Sequence, residues 1–288
     1  MADGFPVRVL RVSDHSRDSA GFTYVYPVVS RRAGGVSIGI NLNPNNACNW
    51  RCLYCQVPDL KRGGPPPVDL AQLEDELATM LHQIVDGDFM QERVPEELRR
   101  LNDVAFSGNG EPTMSPEFGH ALEIVERQLQ AFGLLGQIKI VLITNGSQLY
   151  KPEVQDVVGR MGQINGELWF KVDRAPQDGF AVVNQVQLNR AAVIRHLIAA
   201  SERCATWLQT CMFGLDGALP SDADIAAYVT FVAELKAQAP GLKGVLLYGL
   251  ARPSMQPEAP RLHAAPVEWM KALAERISAQ GLEVKLSI

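Results

Sequence analysis

The sequence predicts an α/β fold, a parallel sheet with its helices packed outside. Three observations carry that class. Strand-like and helix-like stretches alternate six times between Val36 and Ile277. Some strand-like stretches are near-continuous apolar runs, such as Ile138 to Ile143, broken only by Lys139, as expected of strands covered on both faces. Several helix-like stretches open on a capping residue or a proline, the usual punctuation of a helix start. Such alternation argues for parallel strands joined by outer helices. By itself it leaves a doubly wound open sheet and a barrel equally open.

Residues 1–35 read as an irregular N-terminal extension, a cap packed on the domain or a lid over its site, and 36–288 as the main domain. Val36–Leu42 alternates β-branched residues with small or polar ones and predicts the first strand. After the loop Lys61–Pro67, Asp69 caps a helix that carries Leu70, Leu73, Leu77, Leu81 and Ile84 on one face. Asp103–Phe106 is the second strand, and Ser115-Pro116 opens a helix to about Gln130. Ile138–Ile143 is the third, with a short helix opening at Lys151-Pro152. Leu168–Val172 is the fourth, followed by a helix over Gln187–Glu202. Thr206–Met212 is the fifth, and Ser221 with Asp224 forms a capping box for a helix to about Ala237. Gly244–Tyr248 is the sixth, Pro266 opens the last helix, and Leu282–Ile288 adds an edge strand.

With 288 residues, 47% hydrophobic and 20% charged, the composition is that of an ordinary soluble globular protein. Its start lacks a signal-peptide pattern, and no apolar run reaches the roughly 18 residues that span a bilayer. The expected location is cytoplasmic and the expected partners exclude a membrane. There, clustered thiols read as metal-binding or catalytic and not as a disulfide framework. A net charge of −5 gives no general attraction for polyanions, so a nucleic-acid partner is not favoured.

The chemistry concentrates directly after the first strand. Cys48, Cys52 and Cys55 put three of the chain's five cysteines within eight residues. Soft thiolates select iron–sulfur, zinc or copper(I). A structural zinc site wants four ligands, and the nearest His residues are His15 and His82. Three ligands leave a coordination position open for chemistry. Cys204 and Cys211, far away in sequence, read as buried structural thiols.

The Cys-x3-Cys-x2-Cys spacing, with Tyr54 just before the last cysteine, resembles the signature of the radical S-adenosylmethionine (radical SAM) superfamily. The resemblance implies a partial (β/α)6 barrel with the cluster loop after the first strand. It also implies a [4Fe–4S] cluster on the three cysteines, with SAM chelating the fourth iron. Reductive cleavage of SAM would then yield a 5′-deoxyadenosyl radical for hydrogen abstraction, and an electron donor such as flavodoxin or ferredoxin would be needed.

In folds of this kind ligands bind at the carboxyl ends of the strands, so unusual polar residues belong there. Ser107-Gly108-Asn109-Gly110-Glu111-Pro112-Thr113 follows the second strand. Its glycines allow close backbone approach, and Glu111 can accept hydrogen bonds from an amine. It is similar to the superfamily's Gly-Gly-Glu motif, which holds the SAM amino group. Asn145 follows the third strand, Lys171 and Asp173 the fourth, Gln209 lies within the fifth, and Arg252 follows the sixth. The resemblance implies cofactor contacts for Tyr54, Gly108, Asn109, Gly110, Glu111, Asn145, Lys171, Asp173 and Gln209. Phe106–Thr113, Ile143–Gly146 and Lys171–Asp173 further resemble the branch with the wyosine-type tRNA-modifying synthases. Archaeal members of that branch carry a second cluster on additional N-terminal cysteines, and residues 1–47 contain none. The substrate classes this leaves are a small molecule, a peptide or an RNA base. The reading from another class is a non-catalytic zinc-loop or nucleotide-binding adaptor on a barrel scaffold.

Overall fold

In the computed structural model, which describes residues 9–11, 20–30, 34–175 and 177–288, eight strands join one curled sheet in chain order. They are β1 (Val25–Ser30), β2 (Gly35–Ile40), β3 (Leu101–Phe106), β4 (Lys139–Thr144), β5 (Gly166–Lys171), β6 (Ala205–Cys211), β7 (Leu242–Tyr248) and β8 (Glu283–Ser287). β1 and β2 are antiparallel, and every later pair is parallel. The six predicted strands are β2 to β7, and the predicted edge strand is β8. The sheet is therefore a partial barrel, closed on neither edge.

Seven helices matter for the site: α1 (Leu70–Val85), α2 (Phe118–Ala131), α3 (Pro152–Gln163), α4 (Gln177–Val183), α5 (Arg190–Ser201), α6 (Asp222–Gln238) and α7 (Val267–Ser278). Asp69 caps α1 by accepting from Gln72 N at 3.0 Å, a contact that stabilises a helix start by about 1 kcal/mol. The Ser221–Asp224 capping box is formed in full. Leu73, Leu77 and Leu81 of α1 are completely buried, each contributing about 1.5–3 kcal/mol by leaving water.

Period-two alternation sorts the strand residues onto two faces. Val104, Ile140, Leu142, Leu168, Phe170, Leu208 and Val245 pack outward against the helices. Ala105, Val141, Trp169, Trp207 and Leu246 form a small apolar layer inside the curl. That inner layer is the floor beneath the strand ends.

Several elements differ from the sequence reading. Val25–Ser30 is a strand, not part of an irregular extension; it is buried throughout, so no polar face marks it. Its start is held by Glu76 of α1, whose carboxylate accepts from Thr23 N, Tyr24 N and Val25 N at 2.9, 2.7 and 3.1 Å. Of the predicted cap, residues 1–8, 12–19 and 31–33 lie outside the described residues. The helix expected from Ser115 begins at Phe118, because Ser115 is extended before Pro116, as a residue preceding proline tends to be. The helix expected from Gln187 begins at Arg190, where Asn189 caps it. α4 was not legible in the sequence at all. Among the described residues, no helix is long and apolar enough to cross a membrane.

Candidate cofactor site at the strand ends

A cavity of about 870 Å³ opens at the carboxyl ends of the parallel strands. Cys48, Cys52 and Cys55 line it, and so do Tyr54, Gly108, Asn109, Gly110, Glu111, Asn145, Lys171 and Gln209. Of the residues singled out from the sequence for cofactor contact, only Asp173 is absent from the lining. Arg252 also lines the cavity, and so does Cys211, which therefore is not a thiol remote from the site. Cys204 does sit in the outer core.

The three cysteines are free thiols, each half-buried. Their loop is pinned from three sides. Arg51 N and Leu53 N donate to Asn184 O and Val183 O at the end of α4, at 3.2 and 2.9 Å. Ser254 Oγ donates to Leu53 O at 2.6 Å, and Met255 N donates to Cys55 O at 2.9 Å. Arg51 forms a two-pronged ion pair with Glu258 at 3.0 and 2.8 Å. Burial pushes the Cys48 thiol up to about 11 and the Cys52 thiol up to about 12. Unligated, both are protonated at neutral pH, so a metal must displace their protons. Two N–H groups already face the sulfurs: Trp50 N is 3.4 Å from Cys48 Sγ, and Asn184 Nδ2 is 3.2 Å from Cys52 Sγ.

The loop after β3 is packed for proximity. A Cβ at Gly110 would overlap the Ala47 carbonyl and the Asn43 amide, and one at Gly108 would overlap Asn41. In this structure the close neighbour that demands glycine is the cluster loop itself. Glu111 is 2% exposed and collects donors from two strand ends. Thr113 and Thr144 Oγ1 donate to Oε1, and Asn145 N donates to Oε2 at 2.7 Å. Burial outweighs these bonds and holds its carboxyl above the usual range. Asn145 is engaged on both sides of its amide, donating to Asn49 Oδ1 at 2.9 Å and accepting from Ser147 N at 3.0 Å.

Lys171 and Asp173 part ways. Lys171 points into the cavity with its ammonium 5.0 Å from the centre of the Tyr54 ring. Burial acts to lower its pKa, but Tyr248, Asp173, Cys52 and Cys211 outweigh that and hold the ammonium well above the lysine range. Asp173 is wholly buried behind the wall. It accepts from Tyr54 OH at 2.6 Å, Asn184 Nδ2 at 2.8 Å and Cys211 N at 2.9 Å. A buried carboxylate needs such donors, and here they consume the group that the motif reading assigned to the cofactor. Asn184, Asn49 and Tyr248 were missed from the sequence. Only Tyr248 had a signal there, its position at a strand end.

Residues 42–165, a stretch that includes all three cysteines, match the radical SAM superfamily model. That stretch is similar to the radical SAM superfamily. Within curated proteins it is similar to a UPF0026 protein of Helicobacter pylori, 29% identical over 133 residues, 46% of this chain and 37% of that protein. The chain thus spans well under half the length of the curated relative it matches. Among solved structures it resembles a radical SAM methyltransferase from Sphaerobacter thermophilus, with TM-score 0.60 and 14% identity over 88% of this chain and 66% of that one. It also resembles TYW1 with a lysine-pyruvate adduct bound, with TM-score 0.54 and 17% identity over 92% and 78%. These likenesses bear on the fold, a radical SAM partial barrel.

The radical SAM family implies a [4Fe–4S] cluster and SAM, and the residues present fit them. Three free thiols share one cavity wall with N–H donors facing two of the sulfurs. Among the described residues, no three His, Cys, Asp or Glu side chains group as one metal ion would require. A cluster that takes each thiolate on a separate iron does not need that tight grouping. Asn109 Oδ1 is a buried acceptor with no hydrogen-bond partner, on the loop where the SAM amine is expected.

Proposed function

We propose that the chain is a radical SAM enzyme that binds a [4Fe–4S] cluster on Cys48, Cys52 and Cys55 and abstracts hydrogen from an organic substrate. The observation that carries this reading is the convergence of those thiols with Glu111, Lys171 and Gln209 on one cavity. When bound, cluster and SAM supply one-electron cleavage of a SAM carbon–sulfur bond and, with it, a 5′-deoxyadenosyl radical.

The chain's own residues hold and shield the reactants. Glu111 Oε2 takes one hydrogen bond from the protein, and a carboxylate oxygen has a second site for an amine proton. Thr113 and Thr144, bonded to Oε1, and Asn145, bonded to Oε2, keep the carboxylate in place, so Glu111 is the assigned partner of the SAM amino group. Gly108, Asn109 and Gly110 form the ledge beside it. Lys171 stays protonated and offers its charge to an anionic group of the cofactor, with Gln209 on the same wall. Asn145 borders the same space, and Tyr54 supplies an aromatic side. Asp173 acts behind the wall by setting Tyr54. Such positioning, with water excluded, is the protein's share in cofactor chemistry.

The cavity continues past these residues to Tyr26, Val28 and Ser30 of β1 and to Ser37 and Asp103 toward the amino ends of β2 and β3, and that continuation is the space assigned to a substrate. A small molecule, a peptide or an RNA base remains the substrate class, and the net charge of −5 disfavours a polyanion. A flavodoxin or ferredoxin is the class of reductant.

The test is anaerobic reconstitution with iron and sulfide, then electron paramagnetic resonance of the reduced protein with and without SAM and an assay for 5′-deoxyadenosine. A cubane signal shifted by SAM, with 5′-deoxyadenosine formed, supports the proposal. Zinc bound with no cubane signal refutes it and favours the adaptor reading.

A further inference from the structure

Asn184 lies 132 residues beyond Cys52, in the loop after α4, yet its side-chain amide nitrogen sits 3.2 Å from Cys52 Sγ. The same nitrogen is 2.8 Å from Asp173 Oδ2. A carboxylate and a cysteine sulfur both accept, so the amide must turn its NH2 toward them and its carbonyl away. The carbonyl has nothing to meet: Asn184 Oδ1 is buried and without a hydrogen-bond partner. Asn184 is itself wholly buried. An orphaned buried acceptor costs stability, and an orientation kept against that cost needs another explanation.

The backbone gives the arrangement its rigidity. Asn184 O accepts from Arg51 N, and Val183 O accepts from Leu53 N, so the segment brackets Cys52 on both sides. Asp173 is in turn fixed by Tyr54 OH and Cys211 N. A chain of contacts therefore runs from the end of β5 through one carboxylate and one amide to one thiol.

We infer that Asn184 is a positioning residue that sets the reduction potential of the cluster through an N–H···S hydrogen bond to Cys52. This rests on the three-cysteine reading above. A hydrogen bond to a ligand sulfur withdraws charge from it and favours the extra electron of the reduced cluster, one of the recognised controls of cluster potential. Cys52 receives a side-chain N–H that is locked by a carboxylate, so its effect is static.

The test is a potentiometric titration of the reconstituted holoprotein without SAM, followed by electron paramagnetic resonance. Asn184→Leu keeps the volume and removes the N–H, and Asn184→Ala removes the group altogether. With iron and sulfide content matching the wild type, both are expected to reduce less readily. The equilibrium constant for reduction should fall tenfold or more, a shift of about 59 mV for a one-electron couple. An unchanged potential in a fully loaded variant overturns the inference. Failure of both variants to load also overturns it, because Asn184 would then serve only to fold the loop. A wild-type protein with no cubane signal is a different failure, that of the three-cysteine reading, and removes this role with it.

Discussion

The Tyr54 hydroxyl donates to Asp173 Oδ2 at 2.6 Å, joining the residue before the third cysteine to the end of β5 across 119 positions of chain. Neither group is free for a ligand through that bond. Removing the hydroxyl in Tyr54→Phe leaves the ring against Phe213 and takes one donor from a fully buried carboxylate. Loss of a hydrogen bond to such a group is expected to cost about 1–3 kcal/mol. Urea unfolding of the unloaded protein measures it, and a midpoint equal to wild type would contradict the buried brace.

The cysteines of the cavity should separate by role. Cys52→Ala is expected to bring iron after reconstitution down to background, because two thiolates cannot hold the cluster. Cys211→Ala, at the same cavity, should load like wild type. Iron and sulfide analysis decides both, and an iron content in Cys52→Ala equal to wild type would sink the ligand assignment.

Glu111→Gln keeps the shape of a residue that gathers donors from Thr113, Thr144 and Asn145, but half of its amide presents hydrogens where those donors point. The expected result is weaker SAM binding, by tenfold or more, with iron content unchanged. Equilibrium binding of SAM to the reconstituted protein checks it, and unaltered affinity would remove Glu111 from the cofactor site.

Gly110→Ala should be worse for the fold than its size suggests. The added methyl group meets the Ala47 carbonyl and the Asn43 amide, so the cluster loop must shift away from the loop after β3. Overpacking of this kind costs about 1–3 kcal/mol. Both a lowered unfolding midpoint and reduced cluster loading are expected; loading and stability like wild type would show that the two loops are not in contact.

The Arg51–Glu258 clamp gives a pH dependence. Its hydrogen bond and ion pair to Arg51 hold the Glu258 carboxyl below the usual carboxylate range. A depressed carboxyl contributes stability at pH values above its unfolded pKa and loses it as pH falls through the folded one. The stability gap between wild type and Glu258→Gln should therefore be full at pH 7 and close below about pH 4.5, the region of an unperturbed Glu. Paired urea titrations across that range measure the gap. A gap that stays constant as pH falls would mean the carboxylate contributes nothing to holding the loop.

What the sequence determined by itself was chemical type and local order. Thiol spacing carried the resemblance to the radical SAM superfamily, and that resemblance implied the cluster, because such a motif is a matter of residue types a few positions apart. Apolar runs and caps at Asp69, Pro152 and Ser221 placed the six strands and most helices, because alternation, helical period and capping act within one element. Buried on both faces, β1 offered no such signal, and α4 was hidden by its brevity. Tertiary structure alone decided which distant side chains meet. Lys171 and Asp173 stand two residues apart at the end of the fourth predicted strand, where one is expected to face the pocket and the other the rim. The structure puts Lys171 in the cavity and buries Asp173 behind it, held by Tyr54, Asn184 and Cys211. Cys211 looked remote and is in the wall. Asn184 carried no motif and touches the Cys52 sulfur. These outcomes follow from the curl of the sheet and the pinning of the cluster loop, which bring together residues more than 100 positions apart, beyond the reach of any local period.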